Sequence, residues 1–445
     1  MKGKLDIRRA LVRSALAVAA LVLVTVFINL SWFDEPLRPE LVALQKPEPV
    51  SMDGNAYALI YGLPAAADTD PRQAGLEIIG RLRERYAAGE RVTLEDGEIE
   101  RILGASNADA GAWRADYPGL DCNSRFELDC AARLVADVER VRDVDSRLVL
   151  QLGRYDDVLA APRFAEFQEA DAYTPLPDYS LPMALARIRL ARSLAHDDTP
   201  VFLDKAAVDF RFWRMMLRDG QSLVAKMIAL AGMRNDMVFL STLMAGRELD
   251  ADEISALRGI LVPLTASERD IGETFLAELR IAMLSHKSLV VMLGDASLPT
   301  SLTLQENATL NEFYVTAVQP MRLRATLSPE EFYRQKGNEN IYFELRAFPP
   351  PLYNLGGKLI LKRMAAGYNV QDYITRVHDL GGRISLLLLQ AEIEAHPDTS
   401  IAAIVEHSAH RNPYTDEPMD YDAEAQTLGF ECLAQGTKDF CAVAL

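Results

Sequence analysis

The stretch from Ala10 to Phe33, ALVRSALAVAALVLVTVFINLSWF, constrains this chain more than any other, because nothing between Ser14 and Leu30 carries a charge. A helix rises about 1.5 Å per residue, so about 20 such residues cross the roughly 30 Å hydrocarbon layer of a bilayer. Lys2, Lys4, Arg8, Arg9 and Arg13 stand at its N-terminal side against Asp6, while Asp34 and Glu35 follow it. Basic flanks stay in the cytoplasm, which predicts a cytoplasmic N-terminus over residues 1–9 and a transmembrane signal anchor over 10–33. Everything beyond Trp32 is then periplasmic. A cleaved signal peptide needs a shorter apolar core and a small-x-small site after it, and Thr25, Val26, Phe27, Ile28 and Asn29 close the run without one. The next candidate span, Ser222 to Ala245, is interrupted by Lys226, Arg234, Asn235 and Asp236. The bilayer is therefore an expected partner, through residues 10–33.

Beyond the anchor the composition is that of a globular body: 49% hydrophobic and 25% charged positions over 445 residues supply an ample core. Sixty-four acidic residues against forty-seven basic ones leave a net charge of −17. An acidic body repels phosphate backbones, and no Lys/Arg stripe interleaved with aromatics reverses this locally, so nucleic acid is not an expected partner.

Residues 34–72 hold Pro36, Pro39, Pro47 and Pro49 among charges and turn residues, and read as a stalk. From Gln73 the periodicity is mostly helical. Leu134, Val138, Val141, Leu148, Leu152, Tyr155 and Leu159 recur at steps of three and four and predict a seam on one or two packed helices. Further helices are expected over roughly 183–195, 203–245, 251–293 and 305–336, with capping boxes at Thr265/Glu268 and Ser328/Glu331. The prolines at 349–351 break this array, and a long helix over about 358–395 follows, with Tyr373, Val377, Leu380, Ile384, Leu387 and Ala391 on one face. Gly381-Gly382 inside it marks a kink or a close approach of another segment. Short strands near 419–422, 427–433 and 439–443 predict a small antiparallel meander. The fold class expected is mainly α: one transmembrane helix, a multi-helix periplasmic array over 73–345, and a helical hairpin with a C-terminal β meander over 346–445.

The cysteines, Cys122, Cys130, Cys432 and Cys441, all lie beyond the anchor. Spacing alone does not choose among their pairings. A two-residue Gly436-Thr437 turn between LGFECL and FCAVAL would set Gln435 opposite Lys438 and Cys432 opposite Cys441. That pair would be non-hydrogen-bonded, with Cα atoms about 4.5 Å apart, close enough for a disulfide. Cys122 and Cys130 bracket NSRFELD and would close that loop. Two structural bridges are expected in an oxidising compartment, with free buried thiols as the alternative. A four-thiolate zinc site lacks its CxxC spacing.

Candidate chemistry is sparse. Glu406, His407 and His410 form EHSAH, which departs from the HExxH of zinc peptidases and, with Pro413 close behind, reads as a solvated helix end. Ser222 and Lys226 are four apart, not three as in penicillin-binding SxxK sites, and Lys226 reads as exposed or snorkelling. Phe210, Phe212, Trp213, Met215, Met216, Met227, Met233 and Met237 read as core, although methionine-rich surfaces also adapt to ligands. Arg154 and Tyr155 read as a helix-surface charge beside a core ring. The chain has no G-x-S-x-G elbow, P-loop or GxGxxG. No catalytic residue, metal ligand or cofactor is assigned.

NPYTDEPMDY, after the helical segments RISLLLLQAEIEAH and IAAIVEH, is similar to a C-terminal Pro-Phe/Tyr-Ser/Thr-x-x-Pro-Leu/Met-x-Tyr signature of uncharacterised bacterial envelope proteins, and more distantly to the pseudopilin meander. NAYALIYGLPAAADTDPRQAG resembles the segment that follows the anchor in that group. The resemblance covers about 60 residues at the two ends and implies an anchored periplasmic protein without a known activity. A prepilin processing site is absent, so a pilus subunit is not expected. The functional expectation is a non-enzymatic scaffold that binds an envelope protein; the alternative is a peptidoglycan or glycan hydrolase using paired carboxylates.

Overall fold

The computed structural model describes residues 2–104, 130–140, 146–284, 303–335, 353–367, 371–434 and 438–445. The first helix, α1 (Lys2–Ile28), contains the apolar window Leu11–Ile28, with a mean hydropathy of 2.5 and none of it buried. It is the only described helix long and apolar enough to cross a membrane.

Most helix starts are written locally in the sequence. After α2 (Pro39–Leu44), Asn55 caps α3 (Ala56–Gly62) by accepting from Tyr57 N, and Asp70 with Pro71 opens α4 (Pro71–Ala87). The expected stalk is therefore partly folded: Leu41, Tyr57, Ile60 and Tyr61 are buried in the core. Glycines let α3 and α4 cross in contact. A Cβ on Gly62 would stand 1.6 Å from the Pro71 carbonyl oxygen, and one on Gly75 1.8 Å from that of Ala58.

After α5 (Glu98–Leu103), the expected seam appears as α6 (Cys130–Arg140) and α7 (Ser146–Leu159), with Leu134, Leu148, Tyr155 and Leu159 buried. The helical body continues with α8 (Ser180–His196), α9 (Thr199–Asp219) and α10 (Leu223–Gly246). The expected helix over 203–245 thus breaks at Gly220–Ser222, where Ser222 caps α10. Central α10 buries residues on every side and packs against α8, α9 and the later helix α18.

Next come α11 (Ala251–Ile260), α12 (Ala266–Arg269), α13 (Gly272–Leu284) and α14 (Glu306–Phe313), then a π-helical turn over Tyr314–Val318, α15 (Gln319–Ala325) and α16 (Pro329–Arg334). Both expected capping boxes form, at Thr265/Glu268 and Ser328/Glu331, each fixing two otherwise orphaned donors.

Of the expected 358–395 helix the described residues form α17 (Leu355–Gly367) and α18 (Gln371–Glu394). The glycine pair lies within α18 and marks close approach: a Cβ on Gly382 would meet the Phe430 ring at 2.4 Å and Pro413 at 2.8 Å. After α19 (Ile401–His407), the strands β1 (Asp420–Asp422), β2 (Thr427–Gly429) and β3 (Ala442–Ala444) form the expected antiparallel meander in the order β1-β2-β3. One core joins the helices and sheet, reaching from Leu41 to Val443.

The end of α1 is built into this body. Asn354, in the left-handed region at φ 50°, donates its backbone N–H to Asn29 Oδ1 at 2.7 Å and accepts from Gln305 N through its own Oδ1 at 2.9 Å. Gln305 Nε2 donates to the Leu30 carbonyl at 3.2 Å, and the Tyr353 hydroxyl donates to that of Phe33 at 2.9 Å. The Asp34 carboxylate accepts from Asn307 N and Ala308 N at the start of α14, where helix N–H groups favour an anion.

Candidate functional site

Three helices and the C-terminal loop enclose a cavity of about 300 Å³. Met183 and Arg187 enter from α8, Met227 and Arg234 from α10, and Arg376 from α18. The offsets 183/187 and 227/234 are one and two helical turns, so each helix presents a methionine and an arginine on one stripe. Ala434 and Phe440 close the loop side.

The Phe440 ring carries arginines: the Arg234 guanidinium carbon stands 4.4 Å from the ring centroid and that of Arg383 5.6 Å. Arg383 is buried and donates to the Phe440 and Ala442 carbonyls. Burial pulls its pKa down to about 9, and the positive charge of Arg234 adds to that fall. Asp379 is the acidic residue in the cavity wall among the described residues. Its carboxylate accepts from Leu433 N at 3.0 Å, Ala434 N at 2.9 Å and the Tyr414 hydroxyl, and burial nevertheless raises its pKa. Arg376 pairs with Asp372 one turn earlier on α18.

The second cysteine pair secures this wall. Cys432 and Cys441 form a disulfide with Cα atoms 5.6 Å apart. The expected strand register does not hold: Leu428 faces Val443 and Phe430 N donates to the Cys441 carbonyl at 2.9 Å, so the cysteines are not opposite one another. Residues Lys438–Cys441 form a 3₁₀ turn instead of strand, with Phe440 buried beneath the arginines and Arg383 holding the Phe440 and Ala442 carbonyls, which point away from β2. The expected Gly436-Thr437 turn and Cys122 lie outside the described residues, and Cys130 opens α6. The Asp379 carboxylate and the Cys432 and Cys441 sulfurs lie within 4.8 Å of one another. With the sulfurs joined to each other, the thiolates a metal needs are not present.

A second charged cluster lies between α7, α8, α9 and α10. The Tyr155 hydroxyl donates to Asp209 Oδ1 at 2.6 Å, Arg189 pairs with Asp209, and Asp156 holds Arg189 at 3.0 Å. Asp209 and Asp236 have no exposed surface. Burial raises both carboxyl pKa values, and the charge of Asp209 raises that of Asp236 further. Neither Asp236 oxygen has a hydrogen-bond partner.

Two charges expected at the surface are inside. Lys226 is 4% exposed and donates to the Leu217 and Arg218 carbonyls at the end of α9, where orphan carbonyls favour a cation. Burial draws its pKa down to about 8. Arg154 is buried and clamps the chain after α3, donating to the Ala65, Ala66 and Thr69 carbonyls. Ser222 donates to Glu166 at 2.6 Å while capping α10, which leaves it engaged as a structural group rather than paired with a base for attack. His407 ends α19 exposed, with Nδ1 2.9 Å from the Ala403 carbonyl oxygen, and Ser408 is already extended, so the EHSAH segment is a helix end. Phe210, Phe212, Trp213, Met216, Met233 and Met237 are core residues, whereas Met227 faces the cavity.

Sequence reasoning missed Arg187, Arg234, Arg376 and Arg383. The available signal was the methionine-arginine spacing on amphipathic helices in a chain whose net charge is negative. The chain matches no protein-family model, no curated protein and no solved structure.

Proposed function

We propose that this chain is a single-pass inner-membrane protein whose helical domain faces the periplasm and acts by binding a protein partner of the cell envelope. The observation that carries the reading is the seat of α1. Removing the apolar segment as a signal peptide would take Asn29 from the Asn354 N–H and the Leu30 carbonyl from Gln305, leaving buried polar groups without partners. A segment that completes the fold in this way suits a retained anchor. Trp32, 87% exposed beside Phe33, suits the aromatic belt where such a helix leaves the bilayer. The Cys432–Cys441 bridge suits an oxidising compartment.

Hydrolysis by paired carboxylates is the second reading, and the raised pKa values of Asp209 and Asp236 are the feature that favours it. Against it, a glycan cannot reach carboxylates without exposed surface, and Arg189 and Tyr155 already occupy Asp209. Crosslinking in intact membranes on the tagged full-length protein, read by mass spectrometry, separates the two. The binding reading expects one stoichiometric envelope partner. Release of soluble fragments from purified peptidoglycan by the wild-type protein, lost on Asp209→Asn, would replace binding with catalysis.

A further inference from the structure

We propose that α17 lies against the membrane surface from which α1 emerges, with Leu359 in the headgroup layer and the Lys362 ammonium on anionic phospholipid. This rests on the reading of α1 as a retained anchor and adds a lipid contact made by the folded domain itself. The apolar window ends at Ile28, so Asn29 to Asp34 stand where hydrocarbon gives way to headgroups. Those residues hold the starts of two helices. Asn29 Oδ1 accepts from Asn354 N just before α17, and the Asp34 carboxylate accepts from Asn307 N and Ala308 N in the first turn of α14. The Tyr353 hydroxyl on the Phe33 carbonyl and Arg38 N on Asn311 Oδ1, at 3.0 Å, add one bond on each side. The start of α17 is thereby held level with the end of α1.

Leu359 comes one turn after Leu355, the first residue of α17, so only about 6 Å of helix axis separates them whatever direction α17 takes. The headgroup layer on each face of a bilayer is about 5–7 Å deep, and the Leu359 side chain reaches it. Leu359 is 47% exposed and Lys362 is exposed, while Ile360 and Leu361 between them turn into the core. Residues three apart share a helix face, so the leucine and the lysine form one outward stripe. Trp32 and Phe33, both exposed, lie across the joint. Apolar side chains beside a basic one suit an interfacial helix, and the long lysine stem lets the ammonium sit among phosphates. Lys358 on the same stripe feels the charge of Glu312 within the body, which leaves Lys362 to carry the lipid contact.

The test uses the full chain in vesicles of equal parts phosphatidylcholine and phosphatidylglycerol. The photo-crosslinking residue p-benzoylphenylalanine replaces one exposed side chain at a time: Leu359 on α17, Leu21 within α1, and Val201 on α9 as a reference outside the joint. After irradiation, mass spectrometry of the chain reads lipid adducts. Position 21 should give adducts with both lipids in proportion to their amounts. Position 359 should give adducts well above those at position 201, with phosphatidylglycerol favoured about fivefold. Lys362→Gln should return that ratio to one. Unfolding temperatures within a few degrees of wild type certify these surface variants as folded. Adducts at position 21 with none at 359 above the level at 201 would overturn the α17 contact alone and leave the anchor standing. No adducts at position 21 would overturn the anchor and the α17 contact together. A lipid ratio at position 359 unaffected by Lys362→Gln, or adducts there with a second copy of the chain in place of lipid, would also overturn the proposal.

Discussion

Three helices carry residues two positions apart that meet opposite surroundings. On α8 Arg187 lines the cavity and Arg189 joins the carboxylate cluster; on α10 the pair is Arg234 and Asp236; on α18 it is Arg376 and His378. Two residues turn a helix through about 200°, so each pair divides between two faces. On the interior face charge is cancelled. Asp209 has Arg189 and Tyr155, Asp236 is pushed toward its neutral form, and burial lowers His378 to about 4 with help from the nearby Arg269. On the cavity face Arg234 and Arg383 stack on the Phe440 ring beside an opening. The interior cluster is what folding requires of buried charge.

The largest expected effect comes from breaking the interior pairing. Arg189→Met leaves Asp209 buried without its cation and should cost about 3–5 kcal/mol in denaturant unfolding of the full chain. A cost below about 1 kcal/mol would mean that the cluster admits water and that the two faces are not distinct.

His378 sharpens the comparison through pH. Its ring nitrogens have no hydrogen-bond partner and its ring lies 5.2 Å from Phe332, so the folded chain resists protonating it. The folded pKa of about 4 lies below the ordinary 6.5. Between these values the unfolded chain holds the extra proton, so stability present above pH 6.5 is lost as pH falls toward 4. His378→Leu removes this loss. Its stability relative to wild type should therefore rise by up to about 3 kcal/mol from pH 7 to pH 4, and a pH-independent difference would show that the imidazole is solvated.

The disulfide belongs to the cavity side alone. Replacing Cys432 and Cys441 together by Ser opens a short loop and should cost about 2–3 kcal/mol. The same change should leave the cost of Arg189→Met unaltered, because the bridge lies in the C-terminal segment and the Asp209 cluster on other helices, so their effects should add. Strong non-additivity would couple the regions.

Asp236→Asn should do least. A carboxyl whose folded pKa is raised keeps its proton as pH climbs past the unfolded value, so the stability present at low pH is lost progressively between the unfolded and the folded pKa. At pH 4, where the unfolded carboxyl has only begun to ionise, the substitution exchanges one neutral group for another and should shift stability by less than about 1 kcal/mol. A loss of several kcal/mol would mean that a charged Asp236 supports the fold.

What the sequence made legible was local. The chargeless run, the capping boxes and the close Cys432/Cys441 spacing each depend on residues within one segment, and α1, the two boxes and the bridge are present. The strand register near Cys441 was not legible because the buried seat of Phe440 is made by Arg234 and Arg383, far away on α10 and α18. Lys226 and Arg154 were misplaced for a related reason. Their partners are backbone carbonyls on other elements, and a carbonyl leaves no mark in a sequence. The cavity arginines are scattered over α8, α10 and α18 and meet only when those helices pack.

Covalent footprinting of the full chain in membranes, with phenylglyoxal for arginine and a carbodiimide with glycine ethyl ester for carboxylates, tests the division between the two faces most directly. The account predicts modification of Arg187, Arg234 and Arg376, while Asp209 and Asp236 stay unmodified under conditions that label the exposed Asp252 and Asp420. Labelling of Asp209 or Asp236 at the rate of those surface acids, with the three arginines protected, would contradict it.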